Sequence, residues 1–488
     1  MNNKELAYRK FYVFGSIFTG AIGFFEWGYA LTVFNSVLSY FEDFLFPGYS
    51  NSKLSFIASI LTIGGIGGAL VGGHTSMKWG RRKVLLVTEF IFLLGAGLTV
   101  ISNYVFILIG RFLEGFVIGI NSCVTPIYLI EIAPKRLKGF AGTFNIFLLA
   151  SGSMVAYGVG FIVPKDLAPG ETSNAWRICM GILMVTAAVR ILFFLLFFRK
   201  ETPFYLVLKN QIELATQSLK KIYKGNTKKA LDEVIKEKNY MASTTRNRVR
   251  IRDLFKKKYR KAFLVCLTLP IIREFCGLSA IFVFSNVIFE EGLDEGSDLP
   301  NTLSAIIGAL NLVVAVVAIW IIERYGRKKP LLFGLSGLVF IYGLYALIGF
   351  ISDPGNLAGK IVLVSFPIFF GVSIGGMMFL YLSEVLPDIG MSICMLLDWV
   401  LLFLITQFFL DVSDAITYMG VFLIFGGVCL VGVLFHWAFM IESKGKSKSE
   451  MLSLYSGIRV EEIKPDKPLE ELSSQPDSAN IKVGDIVS

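Results

Sequence analysis

The chain has 488 residues, of which 54% are hydrophobic and 17% charged, and its mean hydropathy is +0.65, more apolar surface than a soluble core of this size hides. The formal net charge of +10 raises the question of nucleic acid, which the placement of the charges must answer. With two histidines, His74 and His436, and six cysteines that lie in apolar runs without CxxC spacing, the chain offers neither a metal constellation nor a nucleophile-base pair, so no cofactor and no enzymatic activity is expected.

A crossing of the hydrocarbon takes about 20 apolar residues. On that ruler twelve spans start near residues 11, 54, 83, 105, 139, 175, 260, 301, 329, 360, 391 and 415. Leu299 to Ile322, Ile361 to Ser383 and Ala415 to Ile441 contain no Asp, Glu, Lys or Arg. Loops after even-numbered spans and both tails carry Lys and Arg, such as Lys78, Arg81, Arg82 and Lys83. Those after odd-numbered spans carry acids, including Glu290, Glu291, Asp294, Glu295, Asp298, Asp411 and Asp414. The positive-inside rule therefore places both termini in the cytosol, with the plasma membrane as the default location.

One long polar insertion, Arg199 to Lys261, holds 19 Lys and Arg against 6 Asp and Glu, which accounts for the whole positive surplus. The surplus is thus a cytosolic topology signal beside anionic lipid rather than a nucleic-acid surface. Within the insertion Leu208, Ile212, Ala215, Leu219 and Ile222 recur at helical spacing and predict a bracket packed on the membrane domain. The expected division is 1–198 as a first six-helix bundle, 199–259 as a basic cytosolic helical linker, 260–441 as a second bundle and 442–488 as a disordered cytosolic tail. The fold class is all-α, a membrane protein of twelve helices in two halves.

The halves are related in sequence. Tyr128, Glu131 and Pro134 form Y-x-x-E-x-x-P, which Tyr381, Glu384 and Pro387 repeat, and Trp79-Gly80-Arg81-Arg82-Lys83 is repeated as Tyr325-Gly326-Arg327-Lys328-Lys329. Parallel repeats of this kind mark transporters that rock one bundle against the other around a site near the midplane. Basic residues at span ends are explained by topology and snorkelling, but Glu131, Glu323 and Glu384 are not. Ion pairs that hold the halves shut on the cytosolic side would use them.

At this point the motifs are similar to those of a known family. Gly110-Arg111 followed by Pro126, Tyr128, Glu131, Pro134, Lys138 and Gly139 resembles the G-R…P-x-Y-x-x-E-x-x-P…R-G signature of sugar porters of the major facilitator superfamily, the group of the facilitative glucose transporters. Glu201-Thr202-Pro203, Glu323-Arg324-Tyr325-Gly326-Arg327 and Glu442-Ser443-Lys444-Gly445-Lys446 resemble its motifs after the sixth, eighth and twelfth spans. The resemblance implies alternating access, with Arg81, Arg82, Glu131, Lys138, Glu201, Glu323, Arg324, Arg327, Glu384 and Glu442 as a cytosolic gate.

The match weakens where a substrate would sit. The family's Q-Q-L-S-G-I-N in the seventh span becomes Arg273-Glu274-Phe275-Cys276-Gly277-Leu278-Ser279; a tryptophan of the tenth becomes Phe379, and the Asn-Trp of the eleventh becomes Asp398-Trp399. Asn311 in the eighth span and Trp399 stand as in the family. The candidate solute site is therefore Arg273, Glu274, Ser279, Asn311, Phe379, Asp398 and Trp399. Charges inside a membrane face a cavity or a partner. Arg273 either pairs permanently with Asp398 or Glu274, or binds an anionic or zwitterionic solute. Ala30 stands where proton-coupled sugar porters carry an aspartate opposite the arginine matching Arg111, so Glu26 and Glu114, each within helical reach, are candidates for proton coupling with Arg111. The other reading is a fixed Arg111–Glu114 pair. Arg190 lies close enough to the cytosolic end to snorkel and receives no role. The expected partners are a small polar solute, sugar or sugar-like by resemblance or else a charged organic solute, the bilayer and protons. The expected function is secondary transport, and the competing one is a non-transporting sensor or structural subunit. No oligomeric state is read from the sequence.

Overall fold

The computed structural model describes residues 7–164, 171–225, 227–245, 250–293, 297–351, 357–446 and 448–457. The first half holds α1 (Lys10–Tyr40), α2 (Asn51–Trp79), α3 (Arg81–Thr99), α4 (Tyr104–Ile132), α5 (Lys138–Gly160) and α6 (Ala175–Leu196). The linker carries α7 (Pro203–Leu208), α8 (Ile212–Ile222), α9 (Lys228–Thr245) and α10 (Ile251–Leu254). The second half begins with α11 (Arg260–Phe275) and α12 (Leu278–Glu290), which share one crossing, then α13 (Leu299–Tyr325) and α14 (Lys328–Ile351). The tenth crossing is assembled from α15 (Leu357–Val364), α16 (Phe366–Phe370) and α17 (Gly376–Val385). Asp388–Phe439, α18, turns at Thr417, whose φ of 65° lies outside the helical region, and so supplies two crossings. A last helix, α19, spans Lys448–Ser456.

Among the described residues ten segments are long and apolar enough to cross a membrane. One of them, Ile389–Phe439, contains both final crossings, and α3 is too charged to score because Arg81, Arg82, Lys83 and Glu89 fall within it. The twelve-span expectation and its two-half arrangement therefore hold among the described residues. Leu94, Phe333, Phe340 and Trp437 are among the large apolar side chains left exposed, as a lipid-facing surface requires.

Local sequence accounts for several boundaries. The Asn103 side chain accepts the N–H groups of Val105 and Phe106 at 3.0 and 3.3 Å and caps α4. Glycines bring α2 and α4 into backbone contact. A Cβ on Gly115 would lie 1.8 Å from the carbonyl oxygen of Leu61, and one on Gly68 would lie 1.9 Å from that of Phe116. Without a hydrophobic force between helices in lipid, such close approach is what holds them.

The linker packs on the first half through α8, and on the second through Leu254 of α10, which is buried beside Gly390 of α18. Ala215, Leu219 and Ile222 are buried on α8, while Ile212 at its start is exposed. The Arg9 N–H donates to the Ile222 carbonyl at 2.8 Å, and Tyr8 bridges to Tyr223, so α1 starts at the linker end of the bundle. The disordered tail expected from residue 442 is corrected in part: α19 buries Met451 and Tyr455 against the second half, because Tyr381 offers a buried hydroxyl to Tyr455 at 2.6 Å. Residues 458–488, and Asp294 and Glu295 of one acidic loop, lie outside the described residues.

The halves are joined at the end away from the linker. Asn35 donates to Ser285 at 3.1 Å and accepts the Asn286 N–H at 2.9 Å; Ser39 donates to Glu290 at 3.1 Å; Asn51 donates to Asp414 at 2.6 Å. Ser59 and Gln407, at 2.6 Å, join α2 to α18. Alanine at Gly68 or Gly115 should force α2 from α4 at a cost of about 1–3 kcal/mol and lower the thermal midpoint of the purified protein. Alanine at Gly73, where nothing lies within 4 Å, should leave it unchanged. Equal midpoints for all three variants would mean that the contact carries no stability.

Candidate functional site

At the linker end each half carries the same constellation, built from its copy of the repeat. Arg81 binds Glu131 at 3.0 Å and Arg327 binds Glu384 at 2.5 Å. A hydroxyl from the chain after the last span of each half donates to the same carboxylate: Thr202 to Glu131 at 2.5 Å and Ser443 to Glu384 at 2.6 Å. Next to each hydroxyl, Glu201 accepts the N–H groups of Arg82 and Lys83, and Glu442 those of Arg327 and Lys328. Gly80 and Gly326 make this possible. Their φ values of 102° and 86° disfavour other residues, and a Cβ would strike Glu201 or Glu442 at 2.5 or 2.6 Å.

Every one of these contacts stays within a half. The ion pairs expected to close one half on the other instead tie the loop after the second or eighth span to the same half, since Glu131 and Glu384 sit on helices adjacent to those loops. Arg82 also donates to the carbonyls of Phe198 and Phe194. Glu323 is exposed and Lys138 half-buried at the start of α5. Arg324 lies over Trp320 at 5.3 Å, and its carbonyl accepts from Lys444. The motifs showed which residues are duplicated, but the hydroxyls of Thr202 and Ser443 gave no signal until each half was folded.

A second cluster lies where two broken helices approach. The seventh span breaks at Gly277, φ 92°, where a Cβ would lie 2.8 Å from the Tyr342 hydroxyl, which donates to the Cys276 carbonyl. The tenth is interrupted at Gly371–Gly375, with Ser373 outside helical geometry. Discontinuous helices of this kind line solute sites in transporters. Arg273 Nη1 lies 2.7 Å from Glu274 and 2.8 Å from Asp398; Ser279 donates to Glu274 at 2.5 Å; and the Phe379 ring lies 5.6 Å from the guanidinium. The adjacent Trp399 stacks on Trp27 of the first half at 5.4 Å and 16°. Asn311 is half-buried on α13, outside this hydrogen-bonded cluster. Arg273 thus takes both carboxylates at once, where the sequence left one or the other open. The side chains of Arg273 and Asp398 keep 15% and 11% exposure, a contact with solvent absent from Arg111, Glu114, Arg190, Glu26 and Glu89 of the first half.

In the first half Arg111 binds Glu114 at 3.3 Å on the same helix and donates to the Ala30 carbonyl at 2.7 Å. The fixed-pair geometry is the one present. Glu26 does not join it. It binds Arg190 at 3.2 Å, together with Glu89 at 2.5 Å, and all three side chains are fully buried. Arg190 therefore does not snorkel, because it points between α1 and α3 rather than along its own helix to the surface. Glu89 escaped notice as one charge near the middle of α3, and only packing shows its partner.

With this geometry in view, a sequence profile of the family described as "Sugar (and other) transporter" matches residues 16–455. The chain belongs to that family. Its relatives include Hexose transporter 1 of Plasmodium falciparum, 28% identical over 459 residues covering 88% of this chain and 90% of that one. The glucose transporter GlcP of Staphylococcus epidermidis is 28% identical over 443 residues, covering 88% of this chain and 95% of that one. Among solved structures, the inward-open xylose transporter XylE from E. coli superimposes with a TM-score of 0.75 at 22% identity, over 91% of this chain and 100% of that one. The protein is thus a multi-pass integral membrane protein of the major facilitator sugar-porter fold and a secondary transporter rather than an enzyme. Membership in this family does not favour a sensor or structural subunit.

The Glu442 anchorage also carries a pH dependence. Burial pushes the Glu442 carboxyl up, but the backbone N–H groups of Arg327, Lys328 and Lys444 outweigh it and hold its pKa below the usual carboxylate value. With the folded value below the unfolded one, this anchorage stabilises the fold fully above the ordinary carboxylate range and is lost as pH falls through the lowered value. The stability difference between wild type and Glu442→Gln should therefore stay constant from neutral pH to about pH 5 and shrink as pH falls below about 4. A difference independent of pH in thermal unfolding would refute the anchorage.

Proposed function

We propose that the protein moves a neutral polyhydroxylated solute, a sugar or sugar-like polyol, by alternating access, with Arg273, Glu274, Ser279, Phe379, Asp398 and Trp399 at the solute site and Asn311 on its far wall. The observation that carries this reading is the charge balance around Arg273. One guanidinium meets two carboxylates, so an arriving anion would face a surplus of negative charge and find no free cation. A neutral polyol can donate hydroxyl protons to the partly exposed Asp398 and lay its apolar face on Phe379 or Trp399. This supports the uncharged alternative among the solutes considered. The relatives, hexose and glucose transporters among them, point the same way.

On this reading the linker end is cytosolic, as are both termini, and the membrane is the plasma membrane. The hydrogen bonds from Asn35, Ser39, Asn51 and Ser59 then close the outer end, while each half's Arg–Glu constellation keeps its own loops rigid as the bundles part. Rocking requires each bundle to move as a unit, and a gate wired within the halves supplies that.

The test is uptake by proteoliposomes against a panel of hexoses, polyols, organic acids and amino acids. Saturable uptake of one or more neutral members, with no competition from organic anions, is expected. Asp398→Asn should lower kcat/KM by about tenfold or more, the worth of one or two hydrogen bonds to a charged acceptor. Transport of anions alone, or unchanged kinetics in a correctly inserted Asp398→Asn protein, would overturn the assignment. A preparation that moves no solute of the panel would return the sensor reading.

A further inference from the structure

A charged cluster in the first half is not used by the solute site. Arg190 on α6 spends Nε and Nη2 on the carbonyl oxygens of Thr19 and Gly20 at 3.1 and 3.0 Å, which leaves Nη1 facing both Glu26 of α1 and Glu89 of α3. With both carboxyls ionised the cluster would be at −1 with no exposed side-chain surface. The second oxygen of each, Oε1, accepts no hydrogen bond, although the two carboxyls lie within hydrogen-bonding reach of each other. Two ionised carboxylates in contact away from water repel strongly, and a buried acceptor without a donor is costly. A single proton on either oxygen removes both penalties: it neutralises the cluster and supplies the missing donor.

An independent feature also points into this spot. Asn121 of α4 is 1% exposed, and neither atom of its amide has a hydrogen-bond partner. Its Nδ2 converges with Nη1 and Nη2 of Arg190 on Gly23, at 2.8, 2.7 and 2.8 Å from where a Cβ would stand, so the glycine leaves a small polar space among the charged groups.

Other ionisable groups on the surrounding helices do not supply the missing charge. On α4, Arg111 and Glu114 pair one to one at 3.3 Å, a neutral set with no surplus charge, and Tyr128 packs on Phe194. On α3, Arg81 and Arg82 are held at the linker end by Glu131 and by carbonyls of α6 and the residues after it, and Lys83 is exposed. Arg177 at the other end of α6 binds Asn174 and Ser102. Tyr29 of α1 donates to the Cys179 carbonyl, Tyr157 of α5 to that of Phe282, and Glu290 of α12 accepts from Ser39.

We propose that Glu26 and Glu89 bind one exchangeable proton between them against Arg190, forming a proton site of the first half separate from the Arg111–Glu114 pair. Loading transfers a proton from water to one carboxylate oxygen and takes the cluster from −1 to neutral; unloading returns it to water when the packing of α1 against α3 and α6 opens. The site has a direct mechanical neighbour. Trp27 follows Glu26 and stacks on Trp399, which follows Asp398, the partner of Arg273. A shift of α1 on loading therefore reaches the solute site through one ring contact across the halves. Only this coupling rests on the transport reading; proton binding stands without it.

Infrared spectroscopy of the purified full-length protein in lipid tests the binding directly. A protonated-carboxyl C=O band is expected at neutral pH, shifting on hydrogen–deuterium exchange and fading at alkaline pH. It should be lost in Glu26→Gln and in Glu89→Gln, because the remaining carboxylate then has Arg190 to itself, and kept in Glu114→Gln. No such band in wild type, a band insensitive to pH and deuterium, or one that survives both substitutions would overturn the site. If a glutamine variant does not fold, Glu26→Asp decides: a displaced band supports the assignment and an undisplaced one refutes it. For coupling, an inward proton gradient should raise wild-type uptake of a neutral sugar severalfold, and this gain should vanish in Glu89→Gln. An equal gain in both, or none in wild type, would overturn coupling. Absence of all uptake would instead strike the proposed solute reading and leave the infrared result to judge the proton.

Discussion

A charge in the hydrocarbon costs about 2.5–3.5 kcal/mol even on insertion scales, and it stays there only with a partner. The architecture of this protein follows that constraint. Arg81, Arg111 and Arg327 each take one carboxylate side chain and are neutralised by it. Arg190 and Arg273 each take two. The one-to-one pairs lock geometry, at the linker end of each half and within α4. The one-to-two clusters leave an electrostatic surplus that something else must satisfy, and they are where we propose that solute and proton bind.

Duplication explains why the linker end is so ordered. Each half folds its loop with a left-handed glycine, an arginine on a glutamate, a hydroxyl on the same glutamate and a second glutamate on backbone N–H groups. The halves then diverge. Tyr381 is clamped by Tyr455 of α19, whereas its counterpart Tyr128 packs on Phe194. Helix α8 of the linker likewise sits on the first half, through Ile222 and the bridge at Tyr8. The linker helix α8 and the tail helix α19 thus give each half a different brace around the same duplicated constellation.

Between the halves the described polar contacts are hydrogen bonds rather than ion pairs, two of them from Ser39 and Asn51 to the carboxylates of Glu290 and Asp414. Asn35, Ser285, Asn286, Ser59 and Gln407 form the far seam, and uncharged hydrogen bonds can be broken and remade at a far smaller desolvation cost than ion pairs. Strong pairs within rigid bodies and weaker contacts between them are what rocking motion requires. The breaks in the seventh and tenth spans interrupt the helices that carry Arg273 and Phe379.

Sequence alone determined the twelve spans, the two halves and the family, because hydrophobic length, alternation of loop charge and motif spacing are properties of the chain read in one dimension. It also singled out Arg273, Glu274 and Asp398, since charges in apolar runs stand out wherever they pair. It misjudged Arg190 and passed over Glu89, and it set Glu26 beside Arg111, because reach along one helix does not say which face meets which neighbour. The direction of a side chain around its helix, and the packing of α1 against α3 and α6, decided those partners. Tertiary structure also decided that the gate pairs lie within halves and that Arg273 is claimed twice. Both depend on distances between segments far apart in the chain, which composition and spacing do not encode.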